Sequence, residues 1–233
     1  MYREVNGRWG PCRFFGKDEY VGRSIFSYGE YNPDETEKIL SLARDRCLDI
    51  GANIGCISQA LHHEGFVVEA FEPQPEIFGL LEFNARGAIV HNTAVGDEAG
   101  WATMPKVHYS TKGNFGGLGL FETSIYGDYK VPVLTIDSLN YEDVGFIKID
   151  VEGFELQVLK GATETIKKCR PTMYIEDDRT EKSAALRNYI RELGYTIEDH
   201  KPTLYRENNF AGLKKNIWAP YNYASHNLIC VPC

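Results

Sequence analysis

The segment Leu48-Asp49-Ile50-Gly51-Ala52-Asn53-Ile54-Gly55 constrains this chain more than any other stretch. It reads as an apolar strand, a tight glycine turn and the start of a helix, the opening of a βαβ unit. Gly51 permits the turn and a close approach of backbone to a ligand, while Gly55 permits close packing of the following helix. The same rhythm continues downstream. Strands are expected at 66–71, 88–95, 145–150 and 172–176, and helices at 33–45, 76–85, 153–168 and 181–193. Gly161 threatens to end or bend the helix over 153–168 early. Residues 194–197 and 227–231 read as closing strands, antiparallel at the sheet edge. Residues 100–136 carry glycines and β-branched residues without helical periodicity, and read as a β-hairpin insertion with a mobile loop. Residues 1–32 read as short strands and turns. The expectation is one α/β domain over residues 1–233 with a Rossmann-like parallel sheet and helices on both faces.

In such sheets ligands bind beyond the carboxyl ends of the strands. Here those ends carry Asp49, Glu72, Asp150 and Glu176. An acid just ahead of the glycine turn would repel the pyrophosphate that dinucleotide-binding loops place on the helix N-terminus. It suits a cation. S-adenosylmethionine has no phosphate, and its methionine end carries an ammonium and a sulfonium. Glu72, about 20 residues further on, is placed to accept hydrogen bonds from the two ribose hydroxyls. A nicotinamide-dependent oxidoreductase is disfavoured by Asp49 and by the absence of GxGxxG spacing. A catalytically silent binding module would have no need of so many strand-end acids.

Net charge is −8, and the lysine pairs Lys167-Lys168 and Lys214-Lys215 are isolated, which disfavours nucleic acid as a partner. No apolar run is long enough for a bilayer, and the N-terminus lacks a signal-peptide core, so a cytoplasmic protein acting away from membranes is expected. Hydrophobic residues make up 43%, enough for a core without disulfide staples. Cys47 and Cys56 read as small buried hydrophobes. Cys230 and Cys233 form a CxxC without the second pair or strand–helix context that zinc or redox chemistry needs.

Three blocks carry a family resemblance: Asp49-Ile50-Gly51-Ala52-Asn53-Ile54-Gly55, Phe71-Glu72-Pro73 and Lys148-Ile149-Asp150-Val151-Glu152-Gly153-Phe154-Glu155. With Tyr28-Gly29-Glu30 and Leu159-Lys160-Gly161-Ala162, they resemble the FkbM family of methyltransferases. The resemblance implies a class I methyltransferase fold with a mostly parallel seven-stranded sheet. It also implies S-adenosylmethionine as methyl donor and O-methylation of a sugar, glycan or small hydroxylated metabolite. It would put Glu30, Asp49, Gly51, Asn53, Gly55, Glu72 and Pro73 on the cofactor, with Asn92, Ala94 and Val95 near the adenine. Where the family often carries a histidine after the strand ending in Glu176, this chain has Asp178. N-methylation stays open, although the Asn-Pro-Pro-aromatic signature is missing.

O-methylation needs a base or a metal, because an alcohol is a weak nucleophile. Asp150 or Glu152 is the expected base and Glu176 the group that orients the acceptor. Lys148 shares a strand face with Asp150 and is counted with it among the catalytic candidates. Asp150, Glu152 and Glu176 could instead bind Mg²⁺ or another divalent cation, which would chelate adjacent hydroxyls. Glu155 reads as a helix-capping acid, and Asp137 as a helix N-cap. His62 and His63 should face solvent. The loop 114–119 either closes over substrate or is an ordinary hairpin loop. Trp218, Tyr221 and Tyr223 either form a sugar platform or pack.

Overall fold

A computed structural model describes residues 2–219 and 225–233. Its centre is a seven-stranded sheet, flanked by two smaller ones. In chain order the elements begin with β1 (Tyr2–Gly7), β2 (Gly10–Phe15), α1 (Val21–Tyr28) and α2 (Pro33–Leu42). Then come β3 (Arg46–Ile50), α3 (Cys56–His63), β4 (Val67–Phe71), α4 (Pro75–Asn84), β5 (Ile89–His91) and β6 (Ala94–Val95). The hairpin strands β7 (Gly100–Pro105) and β8 (Asp128–Leu134) precede a 3-10 turn at Ile136–Leu139. The chain closes with β9 (Val144–Ile149), α5 (Glu155–Lys160), α6 (Thr163–Cys169), β10 (Thr172–Glu176), α7 (Thr180–Glu192), β11 (Tyr195–His200) and β12 (Asn227–Pro232).

The central sheet runs β11-β12-β10-β9-β3-β4-β5. Pairing is parallel from β5 through β10, and β12 is antiparallel to both of its neighbours, the edge arrangement expected from the sequence. Side-chain alternation divides the core into two layers. Leu48, Ile50, Ile147 and Ile149 face α5, α6 and α7, packing on Val158, Ile166 and Ile190. Cys47 and Phe146 face the other way, onto Ile39 of α2 and Ile57 and Leu61 of α3. Asp49 and Lys148 share this second face by the same alternation.

Several expectations need correction. The N-terminal segment is not only strands and turns, because α1 forms there. Val21, Ile25 and Tyr28 bury one helical face, and Gly29 ends the helix in the left-handed conformation at φ 69°. The surrounding glycines read as turn formers, yet Gly22 is there for packing: a Cβ would come within 2.7 Å of the Phe15 carbonyl oxygen.

The strand expected over 88–95 is two. β5 pairs with β4, whereas β6 leaves the main sheet and pairs with β8. Between them the Asn92 amide donates to the carbonyls of Glu72 and Pro73, and Thr93 Oγ1 donates to that of Pro132.

The helix over 153–168 breaks into α5 and α6 at Gly161. A Cβ there would sit 1.9 Å from the Gly96 carbonyl oxygen, so the bend lets two chain segments touch. Asp137 is a cap, but not of its own turn, which Thr135 caps. Its carboxylate accepts from the Glu164 and Thr165 backbone N–H groups at the start of α6, at 3.0 and 2.8 Å. The helix expected over 33–45 stops at Leu42, where Ala43 is already extended.

All six cysteines are free, and Cys230 lies buried in the core while Cys233 is exposed. No helix among the described residues is long and apolar enough to cross a membrane.

Candidate active site

One large cavity opens over the carboxyl ends of β3, β4, β9 and β10. Of the residues expected to hold the cofactor, Gly51, Asn53, Glu72, Pro73, Ala94 and Val95 line it. Their setting is local. Gly51 and Asn53 adopt positive φ of 77° and 51°, which turns the chain over the strand end. A Cβ on Gly51 would lie 1.8 Å from the Asp150 carbonyl oxygen, so this glycine lets the loop after β3 touch the end of β9. Glu72 is buried. Its two carboxylate oxygens accept from the backbone N–H groups of Asn53 (3.0 Å) and Gln74 (2.9 Å). Burial outweighs those bonds and lifts the carboxyl to about 7. Ile50, Phe71, Val95, Met104 and Leu118 supply apolar wall around it.

The other four cofactor candidates do not line the cavity, for separate reasons. Asp49 is completely buried beneath it. Its Oδ2 accepts from Ser58 Oγ at 2.6 Å, and its Oδ1 lies 3.4 Å from Lys148 Nζ. Gly55 faces α4, where a Cβ would meet Leu81 at 2.7 Å. Asn92 holds the Glu72-Pro73 backbone from behind. Glu30 is tied into the N- and C-terminal segments. It pairs with Arg8 and Arg206 at 3.2 and 3.4 Å and accepts from the Phe210 backbone N–H.

At the other end of the cavity stand Asp150, Glu152 and Glu176, half-buried, with one carboxylate oxygen of each within 4.8 Å of the others. Glu152 reaches this position through a left-handed backbone (φ 55°), followed by Gly153 at φ 94°. That conformation strains a residue with a side chain and is held by its surroundings. Glu155 helps hold it: its Oε1 accepts from the Gly153 and Val151 N–H groups, so this acid caps the turn and takes no place in the cavity. Arg179 Nη2 pairs with Glu152 at 2.7 Å. Burial first, then repulsion from Asp150, still raises the Glu152 carboxyl to about 7. The same two causes, in the same order, lift Glu176 well above the usual carboxylate range.

Lys148 is buried between Asp49 and Asp150, 3.3 Å from the latter, and donates to the Gly51 carbonyl oxygen. Burial opposes its charge, but the two aspartates together win and raise its ammonium pKa. A lysine held charged in this way cannot accept a proton. It fixes strand ends together, so the catalytic assignment for Lys148 becomes a positioning one.

Several lining residues escaped the sequence reading. Asn32 and Glu35 project from the start of α2, and Leu204, Ser225 and Asn227 come from the C-terminal segment. For Glu35 a signal existed: it stands one helical turn before the fully buried Ile39, so it faces inward and not toward solvent. Cys56 lines the cavity instead of lying wholly inside the core. The loop 114–119 covers the cavity with Asn114, Gly116, Gly117 and Leu118, anchored where Gln74 Nε2 donates to the Phe115 carbonyl oxygen. Trp218 is buried against Tyr20 and forms no platform. Tyr221 and Tyr223 lie outside the described residues. Asp178, at the position where a histidine was expected, accepts from the His226 backbone N–H at 2.7 Å. His62 and His63 are exposed.

The family model for the methyltransferase FkbM domain matches residues 49–197. A solved methyltransferase FkbM from Methylobacillus flagellatus KT is similar at 19% identity and TM-score 0.52, over 91% of this chain and 55% of that one. A Pyrococcus abyssi tRNA (uracil-54, C5)-methyltransferase in complex with S-adenosyl-L-homocysteine gives TM-score 0.52 at 10% identity, over 99% of this chain and 44% of that one. The chain thus spans about half the length of each, and at these identities the likeness is one of fold, that of class I methyltransferases. No curated protein matches the chain. The family match takes in both strand-end acid groups and well over half of the sequence, and on that ground the chain belongs to the FkbM methyltransferase family.

Proposed function

We propose that the chain transfers a methyl group from S-adenosylmethionine to a hydroxyl oxygen of a sugar, glycan or other small hydroxylated metabolite in the cytoplasm. The observation that carries this is one cavity with two differently equipped ends. Glu72 and apolar wall stand at one, and the three carboxylates Asp150, Glu152 and Glu176 at the other. The first end fits an adenosine. Each Glu72 oxygen has accepted one backbone N–H and retains room for a ribose hydroxyl. Bound there, the cofactor supplies a methyl group already activated by a sulfonium.

The protein's share is then to align the acceptor and remove its proton. Alignment alone contributes up to roughly 7–11 kcal/mol to lowering such a barrier. Glu152, with its carboxyl near 7, exists at neutral pH in both forms and is the base, receiving the hydroxyl proton on its carboxylate. Glu176, whose carboxyl burial and Asp150 lift well above the usual carboxylate range, orients the acceptor by hydrogen bonding to one of its oxygens. Asp150 stays paired with Lys148.

The convergence of the three carboxylates favours a second reading of the same end, a divalent cation chelating two acceptor hydroxyls. Calorimetric titration with S-adenosylhomocysteine tests the cofactor end: micromolar-range binding is expected, weakened about tenfold to a hundredfold in Glu72→Ala. Absence of binding to the unmodified protein removes the methyltransferase reading. Turnover of hydroxylated acceptors with Mg²⁺ and with a chelator then separates base from metal.

A further inference from the structure

The ammonium of a bound S-adenosylmethionine requires an anion, and Asp49, placed for it by sequence, is not available. It lies under the cavity floor and does not line it: Ser58 donates to its Oδ2, and its Oδ1, without a hydrogen bond, faces the Lys148 ammonium at 3.4 Å. The helix α2 packs on the same face of the sheet as those two residues and brings another carboxylate to the cavity. Asn32 precedes the helix in a left-handed conformation (φ 42°) that turns its side chain back beside Glu35. Both residues are more than nine-tenths buried, and both line the cavity that Gly51 also lines. Asn32 Nδ2 donates to the Glu35 carboxylate. The Asn32 Oδ1 is buried with no hydrogen-bond partner.

A buried, unpartnered carbonyl oxygen costs free energy unless something donates to it. Here it stands beside a carboxylate, and both residues line one cavity. Their shared complement is a cationic group with at least two N–H donors. We propose that Asn32 and Glu35 form the receptor for the α-ammonium group of the cofactor's amino-acid end. This rests on the methyltransferase reading and adds to it the residues that recognise that end. In the free protein burial, set against the pull of Lys148 and reinforced by Asp150, Asp49 and Asp178, raises the Glu35 carboxyl to about 8. It is therefore mostly neutral at pH 7 and ionises when the ammonium arrives, so binding releases a proton.

The experiment compares three ligands by calorimetry at pH 7: S-adenosylhomocysteine, its analogue without the α-amino group, and 5′-methylthioadenosine. The unmodified protein is expected to prefer S-adenosylhomocysteine over the deaminated analogue by about tenfold or more. It is also expected to release more protons with S-adenosylhomocysteine than with 5′-methylthioadenosine, read from buffers of different ionisation enthalpy. In Glu35→Gln the preference disappears while 5′-methylthioadenosine binds as before, and Asn32→Ala weakens the preference. If the unmodified protein binds both nucleosides without favouring the amine, the receptor is wrong and the cofactor site stands. A preference that survives in Glu35→Gln, or an equal loss for all three ligands, also overturns it. If none of the three binds, the methyltransferase reading falls and takes the receptor with it. Where Glu35→Gln fails to fold, Asn32→Ala carries the test: a preference unchanged in that variant overturns the receptor.

Discussion

The two ends of the cavity handle negative charge in opposite ways. Under the cofactor end, Asp49 has a lysine and a serine, and Glu72 has two backbone N–H groups. At the end of β9 and β10, three carboxylates crowd together, with Arg179 on Glu152 and the Lys148 shared with Asp49 on Asp150. Satisfied charge builds a rigid floor. Burial raises Glu72 and Glu152 alike to about 7, but at the second end repulsion between neighbouring carboxylates adds to burial, at the expense of stability. On the proposed function, the contrast separates residues that shape the site from residues that act in it, although both groups are acids at strand ends.

Four measurements would break or sharpen that contrast. Replacing Glu152 with Gln should lower kcat by roughly 10²–10⁴-fold, the usual contribution of a general base, with the melting temperature unchanged or raised. An unaltered kcat would move the base elsewhere. Lys148→Met leaves Asp49 buried without its cation and should cost about 3–5 kcal/mol, seen as a lower urea midpoint at constant slope. A small effect would mean that Asp49 was never dependent on its lysine.

The pH profile of the unliganded protein comes next. Glu35 and Glu72 titrate in the folded state near 8 and 7, above the ordinary value of 4.5. Their folded pKa values are raised, so their stabilising contribution is complete below about pH 4.5 and is lost as pH rises to 7–8. Unfolding free energy should fall across this window, by at most about 1.4 kcal/mol per pH unit for each group. Glu35→Gln should flatten the slope, and a flat profile in the unmodified protein would contradict both assignments. The smallest effect is at the other end: Glu176→Gln removes one crowded acid and should stabilise the fold by about 1 kcal/mol or less. A marked loss of stability there would show that Glu176 is bound as firmly as Glu72.

Much of the scaffold was legible because its causes are local. Leu48 through Gly55 announces strand, turn and helix within eight residues, and the helix over 153–168 carried its own warning at Gly161. Glu72, Asp150, Glu152 and Glu176 follow from their places at strand ends. The misses have local causes too. The helix α1 was hidden by glycines that serve packing, and the strand over 88–95 looked continuous although a sheet change lies inside it.

By itself, the sequence determined the α/β class, the order of the central strands' acids and the family. Periodicity and turn chemistry act over a few residues and survive without tertiary context. Only the tertiary structure decided which acid reaches the cavity and which is neutralised beneath it. Lys148 meets Asp49 across two strands, and Glu35 arrives from a helix on the same face. Such distances, and the desolvation that comes with them, depend on contacts remote along the chain. That is the physical reason why Asp49, which the sequence marks for the cofactor, lies beneath the cavity, while Glu35, which carried no assignment, lines it.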